Sequence, residues 1–151
     1  MALEGAEGSM RAIATWTGGF RSVLEDGRTH HVTVDLPRED GGESAGTSAL
    51  ELAVLSLAGC ISTIFAVVAR RRHLAFEALT VGLEAERPEG APTITRVRGT
   101  VRVRTRASAD EVATALRLTL GICPVGVLFG KAGIPVEVTP LAERPGASAR
   151  P

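Results

Sequence analysis

Apolar residues near the start of the chain fall into three short runs that are rich in β-branched and aromatic side chains. The runs occupy residues 10–20, 21–27 and 28–36, and Gly-Gly and Asp-Gly pairs separate them. Asp26-Gly27 between two apolar runs is a strong hairpin signal, because a tight turn needs positive φ values that these residues tolerate. The pattern predicts an antiparallel meander at the start of the chain.

The longest apolar run predicts a helix from Ala49 to Arg72. Ser48 and Glu51 fit a capping box, in which each side chain bonds to the backbone N–H of the other. The last turn carries Arg70, Arg71 and Arg72, whose positive charges complement the negative end of the helix dipole.

Residues 52–69 of this helix carry no charge, which reaches the lower limit for a membrane span. The alternative is a buried helix that is apolar on all sides. Ser56, Gly59, Ser62 and Thr63 dilute the hydrophobicity, and the flanking strands need a soluble partner to cover them. The pattern therefore favours the buried helix over a membrane protein.

Two further strands are predicted at residues 79–86 and 93–106, where valines alternate with a row of arginines. With this period of two, one face of the strand is buried and the other is exposed to solvent. The arginine row could also contact nucleic acid, but no aromatic residues are interleaved to stack on bases. Glu84 and Glu86 on the neighbouring strand could lie opposite the arginines. A solvated sheet face is the favoured interpretation.

Ser108 is placed to cap a second helix that Gly121 breaks or ends, and "CPVGVLFGKAG" begins another helical segment. A last strand is predicted at residues 134–141. Strands grouped with strands, and helices covering one face, indicate an α+β fold. We expect one domain over residues 11–140, with flexible termini at 1–10 and 141–151.

The composition adds further limits. The formal charge is zero, with 17 basic and 17 acidic residues, so no overall field attracts nucleic acid or anionic lipid. The first ten residues lack the basic start and apolar core of a signal peptide. Two cysteines without zinc spacing do not make a secreted disulfide framework. We expect a cytoplasmic protein with free thiols and no nucleic-acid partner.

The two cysteines, Cys60 and Cys123, are either core residues or a working pair. Cys123 directly precedes Pro124, which places it near the N-cap of the next helical segment. The positive end of a helix favours a thiolate, so the sequence predicts a lowered pKa for Cys123. Cys60 would need a cation or a hydrogen-bond donor supplied by the fold. Taken alone, a cysteine on an apolar helix is more often a packing residue.

A resemblance across most of the chain favours the working pair. The stretches "SALELAVLSLAGCISTIFAVVARRR" and "SADEVATALRLTLGICPVGVLFGKAGIPVEV", in this order and spacing, resemble the OsmC/Ohr family of bacterial thiol-dependent hydroperoxide reductases. The resemblance covers residues 11–140. It implies an intertwined homodimer with curved antiparallel sheets around a long, buried central helix.

The resemblance also implies a chemistry. Cys60 would attack an organic hydroperoxide and become a sulfenic acid, and Cys123 would resolve this acid as a disulfide. An external dithiol would then restore both thiols, with no cofactor and no metal. An apolar pocket would suit an alkyl or aryl peroxide. The alternative is a family member that has lost the reaction and binds a small apolar ligand or carries sulfur.

The residues that would support the thiolate match the family less well. The better characterised peroxidase branches of the family use an arginine from the N-terminal strands and a glutamate ten residues before the first cysteine. Leu50 stands at the position of that glutamate here. Glu51, one place later, either substitutes for it or serves only the capping box. Arg21 is the first candidate for the activating arginine, and Arg28 is the second. His30, adjacent to His31 on a predicted strand, cannot form a paired metal site with it.

Overall fold

The computed structural model describes residues 8–146 and confirms the predicted α+β class. Strands and helices follow the predicted order, with a short 3-10 helix at Arg38–Asp40 before the first long helix. The elements are β1 (Ile13–Gly18), β2 (Arg21–Glu25), β3 (His31–Val34), α1 (Ala49–Arg71), β4 (Ala78–Glu86), β5 (Arg96–Arg104), α2 (Ala109–Ile122), α3 (Pro124–Lys131) and β6 (Val136–Glu143).

The chain forms two compact units, which divide between Ala53 and Val54 inside α1. In the first unit, β2 pairs antiparallel with both β1 and β3. Asp26 and Gly27 begin the turn between β2 and β3, and Gly27 has a φ of 76°. The predicted meander and its Asp-Gly hairpin are confirmed.

A buried carboxylate organises the loop that leads from β3 to α1. Asp35 is 4% exposed and accepts hydrogen bonds from the backbone N–H groups of Leu36, Glu43 and Ala45. These amides, that of Ala45 first, lower the pKa of Asp35. The backbone N–H of Asp35 donates to the Thr47 carbonyl at 3.1 Å. The chain is thereby held where α1 begins.

The sheet of the second unit has the order β4-β5-β6. The predicted antiparallel arrangement is correct for β4 and β5 but wrong for β6, which runs parallel to β5. The reason is the connection: α2 and α3 lie between β5 and β6, and a long helical crossover returns the chain in the same direction. β6 ends at Glu143, two residues beyond the end of the last strand predicted at residues 134–141.

The period of two in β5 is confirmed. Val97, Val101 and Val103 are fully buried and form part of the core, whereas the alternating arginines point to the other face. Arg98 pairs with Glu86 at 3.2 Å and Arg102 with Glu143 at 3.3 Å. Two arginines of the row thus pair with glutamates on neighbouring strands, as expected for a solvated sheet face.

Helix α1 has the predicted start and ends one residue earlier than predicted, at Arg71. Five residues form its buried face: Leu57, Ile61, Phe65, Val68 and Ala69. The opposite face, which includes Leu55, Gly59, Thr63 and Val67, is exposed. The helix predicted to be covered on all sides is therefore covered on one side by its own chain, and its central position stays a prediction.

By length and composition, α1 could cross a membrane, and 28% of its most apolar stretch is buried within the chain. Its exposed face is not uniformly apolar. Small and polar residues, Ser56, Gly59 and Thr63, recur along it at helical spacing. Such residues allow two helix backbones to approach closely and are typical of helix–helix contacts.

The predicted domain limits of residues 11–140 stay a prediction. Residues 1–7 and 147–151, which include most of the predicted flexible termini, lie outside the described residues.

Candidate active site

Helix α1 places Cys60 at the edge of its buried face. Cys60 lies between Leu57 and Ile61 in the helix, and both of these neighbours are fully buried. The cysteine itself is only partly buried. The packing of the neighbouring apolar side chains thus fixes the rotation of the helix and leaves Cys60 less buried than either neighbour.

Cys123 forms the junction between α2 and α3, which meet at an angle of 63°. Its backbone N–H closes α2 by donating to the Thr119 carbonyl at 2.8 Å. Its sulfur caps α3 by accepting from the backbone N–H of Gly126 at 3.4 Å, and Pro124 occupies the first helical position. The predicted N-cap is confirmed, and the side chain is fully buried.

The two sulfur atoms lie 3.0 Å apart, and both cysteines are free thiols. An S–S bond is about 2.05 Å long, so about 1 Å of movement would join them. The fold therefore brings together two cysteines that are 63 positions apart in the sequence.

The prediction of a lowered pKa for Cys123 is wrong. Burial of the side chain, first, and its hydrogen bond to Cys60 together raise the pKa of Cys123 to about 11, against the smaller lowering effect of the Gly126 amide. Cys123 is therefore a thiol at neutral pH. Its S–H donates to the Cys60 sulfur.

Gly126 was not singled out in the sequence, although a capping rule could have found it. An N-cap side chain accepts from the backbone N–H two or three residues later, and Gly126 stands three residues after Cys123. A β-carbon at this position would lie 3.5 Å from the Cys123 sulfur and 4.0 Å from Leu57. The glycine thus lies where α3 packs against α1.

Glu51 forms the predicted capping box at the start of α1. Its carboxylate accepts from the backbone N–H of Ser48 at 2.8 Å and from the Thr47 hydroxyl at 3.1 Å. The Ser48 hydroxyl in return accepts from the Glu51 amide. These bonds, that from the Ser48 backbone first, lower the pKa of Glu51.

Helix geometry limits what Glu51 can do for Cys60 of the same chain. Nine positions along α1 correspond to a rise of about 13 Å and to opposite sides of the helix. Two roles were considered for Glu51, and the structure shows the one in which Glu51 caps the start of α1. A role for this carboxylate beside a thiolate stays a prediction.

The two candidate arginines are both paired within the first unit. Arg21 begins β2 and pairs with Glu43 at 3.3 Å. Arg28 pairs with Asp26 at 3.0 Å in the hairpin loop, and Asp26 also bonds His30 at 2.8 Å. The bond from His30 is the largest cause of the lowered pKa of Asp26. The activating role predicted for Arg21 is not tested by these contacts and stays a prediction.

Residues 8–146 contain no cluster of three or more His, Cys, Asp or Glu side chains that could hold a metal ion. What the site offers is a buried thiol in contact with a more accessible one. Such a pair can lose two electrons by forming a disulfide and can regain them from another thiol.

The geometry thus defines a dithiol site in a two-sheet α+β protein. A family model described as "OsmC-like protein" matches residues 40–139. The chain therefore belongs to the OsmC-like family, and the resemblance seen in the sequence is confirmed. No curated protein matches the chain.

Solved structures agree with this assignment. An OsmC-like protein from Mycoplasma pneumoniae is 14% identical, with a TM-score of 0.79 over 89% of this chain and 96% of that one. An organic hydroperoxide resistance protein OsmC from Legionella pneumophila is 20% identical, with a TM-score of 0.69 over 93% and 99%. An organic hydroperoxide resistance protein from Elizabethkingia anophelis is 16% identical, with a TM-score of 0.70 over 89% of this chain and 96% of that one. At these identities the similarity establishes the fold.

Proposed function

We propose that this protein is a thiol-dependent peroxidase that reduces organic hydroperoxides. The Cys60 thiolate attacks the distal peroxide oxygen, the O–O bond breaks, and the leaving alkoxide takes a proton to become an alcohol. Cys60 is then a sulfenic acid. The Cys123 sulfur attacks the Cys60 sulfur, forming a disulfide and releasing water. An external dithiol reduces this disulfide and is itself oxidised.

One observation carries the proposal: the sulfurs are 3.0 Å apart, and the two cysteine residues are unequally buried. The partly exposed Cys60 is the sulfur that a peroxide can reach, so it is the attacking residue. The fully buried Cys123 is protected from peroxide and lies beside the Cys60 sulfenic acid that the attack produces. Its proximity favours disulfide formation over further oxidation of the sulfenic acid.

The substrate class and the location follow from the same site. Apolar side chains flank Cys60 along α1, which favours an alkyl or aryl peroxide over hydrogen peroxide. The similarity to proteins named for organic hydroperoxide resistance supports this choice. Recycling of the disulfide needs a supply of dithiol, so we place the protein in the reducing cytoplasm.

Mass spectrometry after a stoichiometric dose of cumene hydroperoxide tests the proposal. We expect the intact protein to lose two hydrogen atoms and a peptide map to show a Cys60–Cys123 disulfide within one chain. The matched control is the same dose of cumyl alcohol, which lacks the O–O bond. A reaction that is no faster than that of a free thiol in solution would contradict the proposal.

We further propose that two copies of the chain form a homodimer through the exposed face of α1. A single chain leaves the apolar side chains Leu55 and Val67 of this face uncovered, at 56% and 37% exposure. Between them lie Gly59 and Thr63, which are small enough for a second helix to approach closely. A second copy of α1 would cover the face that this chain leaves open.

Substituting Gly59 with Leu tests the dimer. A β-carbon at Gly59 meets nothing within 4 Å in its own chain, so the single chain tolerates the side chain. A closely packed second helix does not, and we expect size-exclusion chromatography with light scattering to shift from dimer to monomer. Gly121→Leu is the control, because Gly121 is also helical and open. A Gly59→Leu protein that stays dimeric would place the interface elsewhere.

A second candidate function is a family member that no longer reduces peroxides and instead binds a small apolar ligand or carries sulfur. The capping bonds of Glu51 favour it, because a carboxylate held by Thr47 and Ser48 is already engaged. Native mass spectrometry distinguishes the two functions. A co-purified ligand together with thiols that do not react with cumene hydroperoxide would favour the binding protein.

A further inference from the structure

Three groups in the second unit form a continuous hydrogen-bonded series that ends at the reacting sulfur. The backbone N–H of Gly126, in the first turn of α3, donates to the Cys123 sulfur at 3.4 Å. The Cys123 S–H donates to the Cys60 sulfur at 3.0 Å. Within residues 54–146, the Cys60 sulfur has no other hydrogen bond. The polar start of α3 therefore acts on Cys60 through Cys123.

We propose that Cys123 has a role before it resolves the sulfenic acid: its S–H is the hydrogen-bond donor that stabilises the Cys60 thiolate. This role rests on the proposed peroxidase function. It makes Cys123 a positioning residue for the first step, in addition to the partner in the second step. The N-terminal end of α3 contributes to the reactivity of Cys60 by polarising this donor.

The surroundings of Cys123 suit a donor. The side chain is fully buried, and burial disfavours the charged form of a thiol. The raised pKa of about 11 means that the proton stays on Cys123 at neutral pH. Cys60 is the less buried of the two residues, so solvent stabilises a negative charge better there than at Cys123. When the pair carries one negative charge, the proton therefore stays on Cys123.

A hydrogen bond to a thiolate has two opposite effects on its reaction rate. It increases the fraction of thiolate at low pH, but it lowers the nucleophilicity of each thiolate, with a Brønsted coefficient of about 0.4–0.5 in attack on disulfides. For a bond that changes the thiolate fraction about tenfold, the donor speeds the reaction about threefold at acidic pH and slows it about threefold at alkaline pH. The pH–rate profile of a protein without the donor must therefore cross the profile of a protein that has the donor.

Substitutions of Cys123 by Ser and by Ala provide the test. The serine hydroxyl keeps a donor, whereas alanine removes it. We measure single-turnover consumption of cumene hydroperoxide by both variants from about pH 5 to about pH 10, a range that spans the usual thiol pKa. We expect Cys123→Ala to be about threefold slower than Cys123→Ser at the acidic end and about threefold faster at the alkaline end.

Coinciding profiles for the two variants would overturn the proposal. So would a Cys123→Ala profile that is lower at every pH without a crossing, because the loss of the α3 cap or of packing alone has that effect. Circular dichroism confirms that each variant is folded. If the alanine variant does not fold, Cys123→Thr and Cys123→Val provide a second pair of similar volume with and without a donor.

The rate of Cys60 alkylation by iodoacetamide separates this proposal from the peroxidase function. Alkylation also needs the thiolate but involves no peroxide. Suppose that the pH profiles of the alkylation rate cross for the two Cys123 variants while the wild type consumes no peroxide. This result would overturn the peroxidase function and support the donor role. Peroxide consumption that depends on Cys60, without a crossing in either assay, would overturn the donor role alone.

Discussion

Cys60→Ser will abolish catalytic consumption of cumene hydroperoxide. A serine hydroxyl is not ionised at neutral pH, so it does not attack the peroxide. It also has no sulfur that could become a sulfenic acid or form a disulfide. Removal of a nucleophile typically lowers catalysis by several orders of magnitude. We expect the rate of peroxide loss, measured in the presence of excess dithiothreitol, to fall to that of the reductant alone.

Cys123→Ser is the matched control, because it changes the same atom in the partner residue. In the absence of dithiothreitol, this variant should consume about one equivalent of peroxide per chain and accumulate a Cys60 sulfenic acid, which dimedone traps for mass spectrometry. A Cys60→Ser protein that keeps consuming peroxide would contradict the proposed roles. So would dimedone adducts on Cys123, since the buried sulfur would then be the attacking one.

Much of the fold could be predicted because the relevant rules are local. Asp26-Gly27, the capping box at Ser48 and the alternating valines of β5 each act over a few residues, and the structure contains all three features. The parallel pairing of β6 could not be predicted in this way. Strand pairing depends on where the α2–α3 crossover returns the chain, and the strand's own residues do not encode it.

The site shows the same division between local and non-local effects. The order of residues around Pro124 predicted correctly that Cys123 caps α3. The direction of its pKa shift was wrong because burial, which depends on the whole unit, outweighs the single capping amide. The contact between the sulfurs was equally hidden, and only the family resemblance suggested it. The local sequence therefore located the groups, and the tertiary structure determined the direction of the pKa shift of Cys123.

The contact between the sulfurs depends on the rotation of α1, which its buried face fixes. Leu57, Ile61 and Phe65 recur at intervals of four and are all fully buried. The Phe65 ring meets Phe76 edge to face, with the centroids 6.1 Å apart. A helix held by this row presents Cys60 to the start of α3. Without it, a turn of one residue, about 100°, would carry the sulfur away from Cys123.

Phe65→Ala should therefore be strongly destabilising and should also impair the redox site. Truncating a fully buried phenylalanine costs about 3–5 kcal/mol of unfolding free energy, which we would measure by urea denaturation at a fixed protein concentration. Leu128→Ala is the control, because this α3 side chain is 64% exposed and its loss should cost less than about 1 kcal/mol. In the folded fraction of Phe65→Ala, the disulfide should form more slowly after peroxide addition. Equal stability of the two variants would mean that the buried face of α1 does not hold Cys60 in place.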